Sequence, residues 1–499
     1  MKAQEKLLEH LKTFPNYNVA KNVIMFLGDG LSIPTISATR IYLGKKNGLQ
    51  YGEEQELFFE TFPYTGLSKT YCVDTQVADS ACSATAYLCG VKANRGTMGL
   101  SASAPRKSCE AMNNASNHVE SIFTWAQEAG KSTGLVTTTR VTHASPGGGY
   151  AHTAERYWEC DENVLRDGLD PELCSDIAEQ LVLARPGRDI QVILGGGRKM
   201  FRPVTSVDEE GDSGSRLDGV DLISRWHTDK LLRGARPHYA WNKEGLLKMD
   251  IENTDFLMGL FESDHLLYNL DTDATKEPSL PELTEVAIKM LQKNNKGYFL
   301  FVEGGRIDQA HHETRAQKAL DETEQFQAAV RVAAQMTSEQ DTLIVVTADH
   351  SHVMTHNGYP RRGRSVFETA GVSNRDGLPH SILSYANGPG YKRPTSNGSR
   401  YDISTDNMRD KDYRFPALAP LGSETHGGDD VPVFARGPWA QLFTGVLEQH
   451  VIPHAMAFAA CLGDGLTACW ARRHALRPED LLHVPVAPWQ WSPRAWATA

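Results

Sequence analysis

Four apolar runs in this chain each end in side chains fit for chemistry. NVIMFL leads into Gly28-Asp29-Gly30, GLVTTT into Arg140, His143 and Ser145, YFLFV into Glu303, Asp308 and His312, and TLIVVT into Asp349, His350 and His352. In open α/β sheets, ligands bind beyond the carboxyl ends of the strands, so these groups are expected to converge. Asp308 and His312 are four residues apart, on one face of any helix that starts there, as paired helical metal ligands are. Asp349-His350 offers adjacent oxygen and nitrogen donors suited to zinc. Asp29, Glu303 and the Ser145 hydroxyl offer hard oxygens suited to magnesium. The nucleophile candidate is Ser80, in Val77-Ala78-Asp79-Ser80-Ala81-Cys82-Ser83-Ala84. There a loop enters a helix of small residues, whose N-terminus favours a phosphate, and metal coordination can turn a weak serine into an alkoxide. Each feature alone has a bland reading: Asp-Gly is commonly a turn, D-x-x-x-H a solvated helix face, D-S-A an N-cap. Four such strand ends in one chain argue for a site.

The elements that must position these groups read as α/β. We expect a central, largely parallel sheet flanked by helices on both faces. Strands are expected at Val23–Leu27, Gly134–Thr138, Gln191–Leu194, Tyr298–Val302 and Thr342–Val346, and helices at Ser83–Leu88, Leu283–Gln292 and Ala316–Met336. Residues 1–20 read as a helical arm, with Leu7, Leu8, Leu11 and Phe14 at helical spacing between charges. The catalytic unit is expected over 21–357 and 422–469, interrupted by a loop-rich, crown-like insertion at 358–421 full of Gly, Pro, Asn, Ser and Arg. Residues 470–499 form an atypical tail carrying four of the nine tryptophans.

Bulk properties narrow the function. The 499 residues carry a formal net charge of −11, with 40% hydrophobic and 23% charged residues, which speaks for a soluble globular protein and against a nucleic-acid partner. No run approaches the ~18 consecutive apolar residues that span a bilayer. The first residues lack the apolar core of a signal peptide, and the tail lacks the hydrophobic end of a lipid-anchor signal. Eight cysteines and the sequons at Asn114 and Asn397 favour an oxidising, secreted or cell-surface setting, with membrane contact only if the chain is anchored.

The segments DSACSATAYLCGVK, TRVTHASPGGGYAH, FVEGGRIDQAHH, VVTADHSHV and GSETHGGDD resemble the signature segments of animal alkaline phosphatases, and the likeness runs from Asn16 to Cys469. It implies hydrolysis of small phosphate monoesters through a phosphoserine at Ser80, with two zinc ions and one magnesium per subunit. One zinc would be held by Asp308, His312 and His426, the other by Asp29, Asp349 and His350 with Ser80. The magnesium would use Asp29, Ser145 and Glu303, with His143 close behind. Arg156 would clamp the phosphate, the role a planar guanidinium suits, and His352 would support the zinc ligands. Glu210, the Phe261 carbonyl, Glu262 and Glu277 match a peripheral calcium site. The resemblance further implies a homodimer in which Tyr359 reaches towards the partner's site, disulfides Cys109–Cys174 and Cys461–Cys469, and a buried thiol at Cys89.

Two departures fall near the chemistry. Gln309 stands where the family usually has His. Cys82 replaces a smaller residue, and has two readings: a reactive thiol beside zinc, or a small apolar residue filling helix-packing space. Helical geometry turns Cys82 about 200° from Ser80, towards the sheet. The packing reading is therefore favoured, and Cys82→Ala is expected to keep near-normal turnover. Among rivals, a sulfatase needs C/S-x-P-x-R, and Cys82–Ala86 has neither Pro nor Arg. A diesterase would not need the third, oxygen-rich metal site, and an inactive binding protein would not need every ligand intact.

Overall fold

The computed structural model describes residues 2–469. Ten strands make one sheet: β1 (Asn22–Gly28), β2 (Tyr64–Lys69), β3 (Ser132–Arg140), β4 (Val192–Gly196), β5 (Pro237–Ala240), β6 (Phe256–Leu260), β7 (Tyr298–Gly304), β8 (Thr342–Ala348), β9 (Val431–Arg436) and β10 (Gly445–Glu448). Their spatial order is β10-β2-β9-β8-β1-β7-β3-β4-β6-β5. Only β9 runs antiparallel to its neighbours; the rest pair in parallel.

Every residue of β1, β7 and β8 is buried, which explains why these strands read as unbroken apolar runs. Alternation along β1 sends Val23, Met25 and Leu27 into one core and Ile24 and Phe26 into another. The first core is roofed by helices Ser80–Cys89 and Val451–Ala460, the second by Leu280–Leu291 and Ala316–Met336. The sheet is thus covered on both faces.

The four strands that carry the chemistry lie side by side as β8-β1-β7-β3. Strands β8, β1 and β7 end level, because Gly28 pairs with both Gly304 and Ala348, and β3, whose Thr137 pairs with Glu303, runs two residues further to Arg140. Asp29, Glu303, Asp349 and the turn after Arg140 therefore emerge along one edge.

Some boundaries move. The helix expected from Ser83 begins at Ser80, because Asp79 caps it, and Gln191 lies just outside β4. Residues 358–421 are not merely loop. Strands Thr369–Val372 and Pro379–Ser381 form a hairpin, and Leu383–Gly388 pairs with Met354–His356 and Ala417–Pro420. Leu383, Tyr385, Ile403 and Phe415 pack with Ala38, Ile41, Ala316 and Leu320, so this segment is seated on two helices of the main body. The N-terminal helix is Lys2–Leu11, and Leu7, Leu8, Leu11 and Phe14 are all exposed. The expectation for residues 470–499 lies outside the described residues.

Candidate active site

Asp79 has extended backbone, and its carboxylate accepts a hydrogen bond from the Cys82 N–H, so the helix begins at Ser80. All ten residues of this helix are buried, and it ends at Gly90, whose φ of 74° suits a residue without Cβ. Small residues let it pack closely: a Cβ on Gly148 would come within 2.5 Å of the Ala84 Cβ. Ser80 is thereby fixed at the strand ends, with its Oγ 3.2 Å from His350 Nε2.

His350 Nε2 also lies 3.1 Å from Asp349 Oδ2 and 3.5 Å from Asp29 Oδ1, and ligand atoms of the three residues all fall within 4.8 Å of one another. A second group surrounds Asp308. Its Oδ1 is 3.3 Å from both His312 Nε2 and His426 Nε2, which are 3.1 Å apart. A third brings together Asp29, Glu303 and His143, with the Ser145 hydroxyl 3.4 Å from Asp29 Oδ2. Asp29 belongs to two groups, so adjacent sites share it.

Donor chemistry fits divalent cations. Asp29 Oδ1, Asp349 Oδ2, Glu303 Oε1 and His143 Nδ1 are buried without hydrogen-bond partners, an arrangement that costs free energy unless a cation satisfies it. Burial, then Asp349, Asp308 and Glu303, push Asp29 well above the ordinary carboxylate range. Burial also pushes Glu303 up to about 7, against the Thr137 and Thr139 hydroxyls that donate to it. Burial and crowding disfavour the charged form of these carboxylates unless a cation supplies positive charge.

Arg156 stands at the rim of the three groups. Its Nη1 donates to Asp79 Oδ2 at 3.1 Å and its Nη2 lies 3.2 Å from His143 Nε2. Every residue expected at the zinc and magnesium centres is thus gathered around Ser80. Residues 20–462 match the alkaline phosphatase family.

This chain belongs to that family. It is 52% identical over 451 residues to the membrane-bound alkaline phosphatase of Bombyx mori, covering 90% of this chain and 82% of that one. To the tissue-nonspecific isozyme of Gallus gallus it is 49% identical over 495 residues, covering 97% and 92%. A mutant of the alkaline phosphatase from the Antarctic bacterium TAB5, solved with magnesium in its M3 site, shares the fold. Its TM-score is 0.61 at 22% identity, covering 90% of this chain and all of that one.

Two parts of this alkaline phosphatase site escaped sequence reading. Glu424 is buried, accepts from the Val353 N–H at 2.9 Å, and approaches His352 Nδ1 at 2.5 Å. The Ala78 carbonyl accepts from His426 Nδ1 at 2.8 Å. Glu424 stood in plain view two residues before His426, but nothing in its spacing links it to His352, 72 residues away. Gln309 is in none of these candidate metal groups; it bridges Arg306 and His265, its Nε2 3.1 Å from His265 Nε2.

Glu210, Glu262 and Glu277 do interact: burial, then Glu277 and Glu210, push Glu262 up to about 8. Arg198 already pairs with Glu210 and Asp208, and the trio is not as tight as the clusters above. Phe261 follows directly on β6 beside them.

Cys109–Cys174 and Cys461–Cys469 are bonded, and Cys89 and Cys160 are buried thiols. The reading of Cys82 as a packing thiol is corrected. It forms a disulfide with Cys72, because the segment after β2 folds back beneath the helix N-terminus. Nor does it face the sheet as expected: it packs with Cys72, Ala78 and Ala93, while Ala81, Ala84 and Leu88 of the same helix join the sheet core.

Proposed function

We propose that this enzyme hydrolyses phosphate monoesters in two in-line displacements at Ser80, with two zinc ions and one magnesium per subunit. The observation that carries the reading is the position of Ser80 Oγ, 3.2 Å from His350 Nε2 between carboxylate groups with orphaned oxygens. Asp308, His312 and His426 would hold one zinc; Asp29, Asp349 and His350 the other; Asp29, Ser145 and Glu303 the magnesium. Bound there, these ions supply Lewis-acid stabilisation of the entering and leaving oxygens.

Within that frame, Ser80 Oγ forms a bond to phosphorus as the ester oxygen leaves with the alcohol. Water then attacks phosphorus from the vacated side, inorganic phosphate departs and the serine hydroxyl is restored. Arg156 binds equatorial oxygens, oriented by Asp79 on one side and His143 on the other. The helix N-terminus adds backbone N–H groups to the same face.

Supporting a homodimer, Tyr359 is fully exposed, and Leu7, Leu8 and Leu11 of the N-terminal helix are exposed among the described residues. Three disulfides support an extracellular location, with glycans at the exposed Asn114 and Asn397. Among the described residues no helix is long and apolar enough to cross a membrane. Glu210, Glu262 and Glu277 with the Phe261 carbonyl remain the proposed calcium ligands. Steady-state turnover of a monoester, a diester and a sulfate ester at defined zinc and magnesium tests the substrate class. Preference for the diester or sulfate would refute it.

A further inference from the structure

Between the end of β2 at Lys69 and Ser80 the chain forms neither helix nor strand, and Tyr71, Val73 and Val77 along it are exposed. Yet two of its residues orient groups of the site. The Ala78 carbonyl accepts from His426 Nδ1 at 2.8 Å. Asp79 Oδ2 accepts from Arg156 Nη1 at 3.1 Å, while its Oδ1 accepts from the N–H groups of Cys82 at 3.2 Å and Gly96 at 3.0 Å. The segment's exposed middle is tethered by the Val73 N–H to the Ala93 carbonyl at 3.0 Å and by Asp74 Oδ1, which accepts from the Arg95 N–H at 2.8 Å, while Cys72, Ala78 and Asp79 are buried. The segment is closed by the buried Cys72–Cys82 disulfide, whose second sulfur sits on the first turn of the Ser80 helix.

We propose that the Cys72–Cys82 disulfide is a positioning clamp for catalysis: it fixes Ala78 and Asp79, and through them the His426 imidazole and the Arg156 guanidinium. Cross-linking this loop removes chain freedom that would otherwise spread into both contacts. The inference rests on the phosphatase reading, since it assigns Arg156 to phosphate and His426 to zinc. It also separates Cys72–Cys82 from Cys109–Cys174, which joins a short helix to a segment 65 residues away and contacts none of these groups.

Coupling between two equilibria is reciprocal. If the closed disulfide tightens phosphate binding, bound phosphate must favour the closed disulfide by the same factor. The zinc- and magnesium-loaded wild-type enzyme is equilibrated with dithiothreitol redox buffers at fixed free metal, with and without saturating inorganic phosphate. Each cysteine is then mapped by alkylation and mass spectrometry. Phosphate should shift the reduction midpoint of Cys72–Cys82 by about five-fold or more in thiol-to-disulfide ratio, and leave Cys109–Cys174 unmoved. In parallel, the Cys72→Ser/Cys82→Ser enzyme should bind phosphate about five-fold more weakly and lose zinc to chelator about ten-fold faster. Cys109→Ser/Cys174→Ser should lower thermal stability without either change. The wild-type redox titration needs no variant to fold. Free thiols at Cys72 and Cys82 in the native enzyme, equal midpoints with and without phosphate, or an unaltered phosphate constant in the double variant would each overturn the proposal. Failure of the phosphatase reading would show separately, as wild-type enzyme that neither turns over a monoester nor binds phosphate.

Discussion

His352 Nε2 lies 2.7 Å from Asp308 Oδ1, so the residue that joins His312 and His426 is itself held from behind by an imidazole. Glu424 approaches the other ring nitrogen. Burial opposes charge on His352, but Glu424 and Asp308 outweigh it and push the ring up to about 10. The ring thus sits between two carboxylates, where it orients Asp308. Glu424→Gln should weaken this support without removing a ligand. Zinc loss to chelator should rise about ten-fold or more, with a smaller change in turnover at saturating zinc. Unchanged zinc retention would remove Glu424 from the support of this group.

Arg156→Ala should raise the inhibition constant of inorganic phosphate and lower kcat/KM about ten- to hundred-fold, the range for losing a buried charge-assisted contact. The remaining site would still hold phosphate, so partial activity should survive. Phosphate inhibition identical to wild type would place Arg156 outside the site.

Away from the site, Glu322 is buried and its carboxyl is pushed up to about 7 by that burial, against the Asn269 N–H that donates to it. The folded pKa exceeds the unfolded one, so the stability from this proton is fully present below about pH 4.5 and lost as pH rises through about 7. Glu322→Gln removes this loss. Its melting temperature should gain on wild type between pH 5 and pH 8, reflecting up to about 3 kcal/mol at the higher pH. A gap independent of pH would show that Glu322 is ionised in the fold without cost.

The apolar face formed by Leu7, Leu8 and Leu11, with Phe14 79% exposed, needs a partner. Ultracentrifugation at micromolar concentration should give twice the chain mass, and removal of residues 1–14 should shift the population towards monomer. A monomeric full-length chain would contradict the dimer.

The parts of this protein legible in its sequence are those governed by local rules. Strands β1, β7 and β8 are buried on both faces, so their apolar runs are continuous, and the polar residues that end them, Asp29, Glu303 and Asp349, stand out. The Ser80 helix is marked by its small residues. Contacts between distant segments were not legible. Glu424 meets His352 across 72 residues, and the Ala78 carbonyl meets His426 across 348. Cysteine count does not give connectivity, so Cys72–Cys82 was invisible until the loop was seen to fold back. Residues 358–421 read as loop because their core residues, such as Leu383, Ile403 and Phe415, are scattered singly and complete their packing on other elements.

Ser80 as the covalent carrier of phosphate is the central claim, and acid quench of the metal-loaded enzyme turning over a phosphorus-labelled monoester tests it most directly. The account predicts label on the peptide containing Ser80 in the wild-type protein. It predicts none in Ser80→Ala, which should stay folded and bind its metals while losing most turnover. Label retained by the Ser80→Ala protein, or turnover close to wild type in that variant, would contradict it.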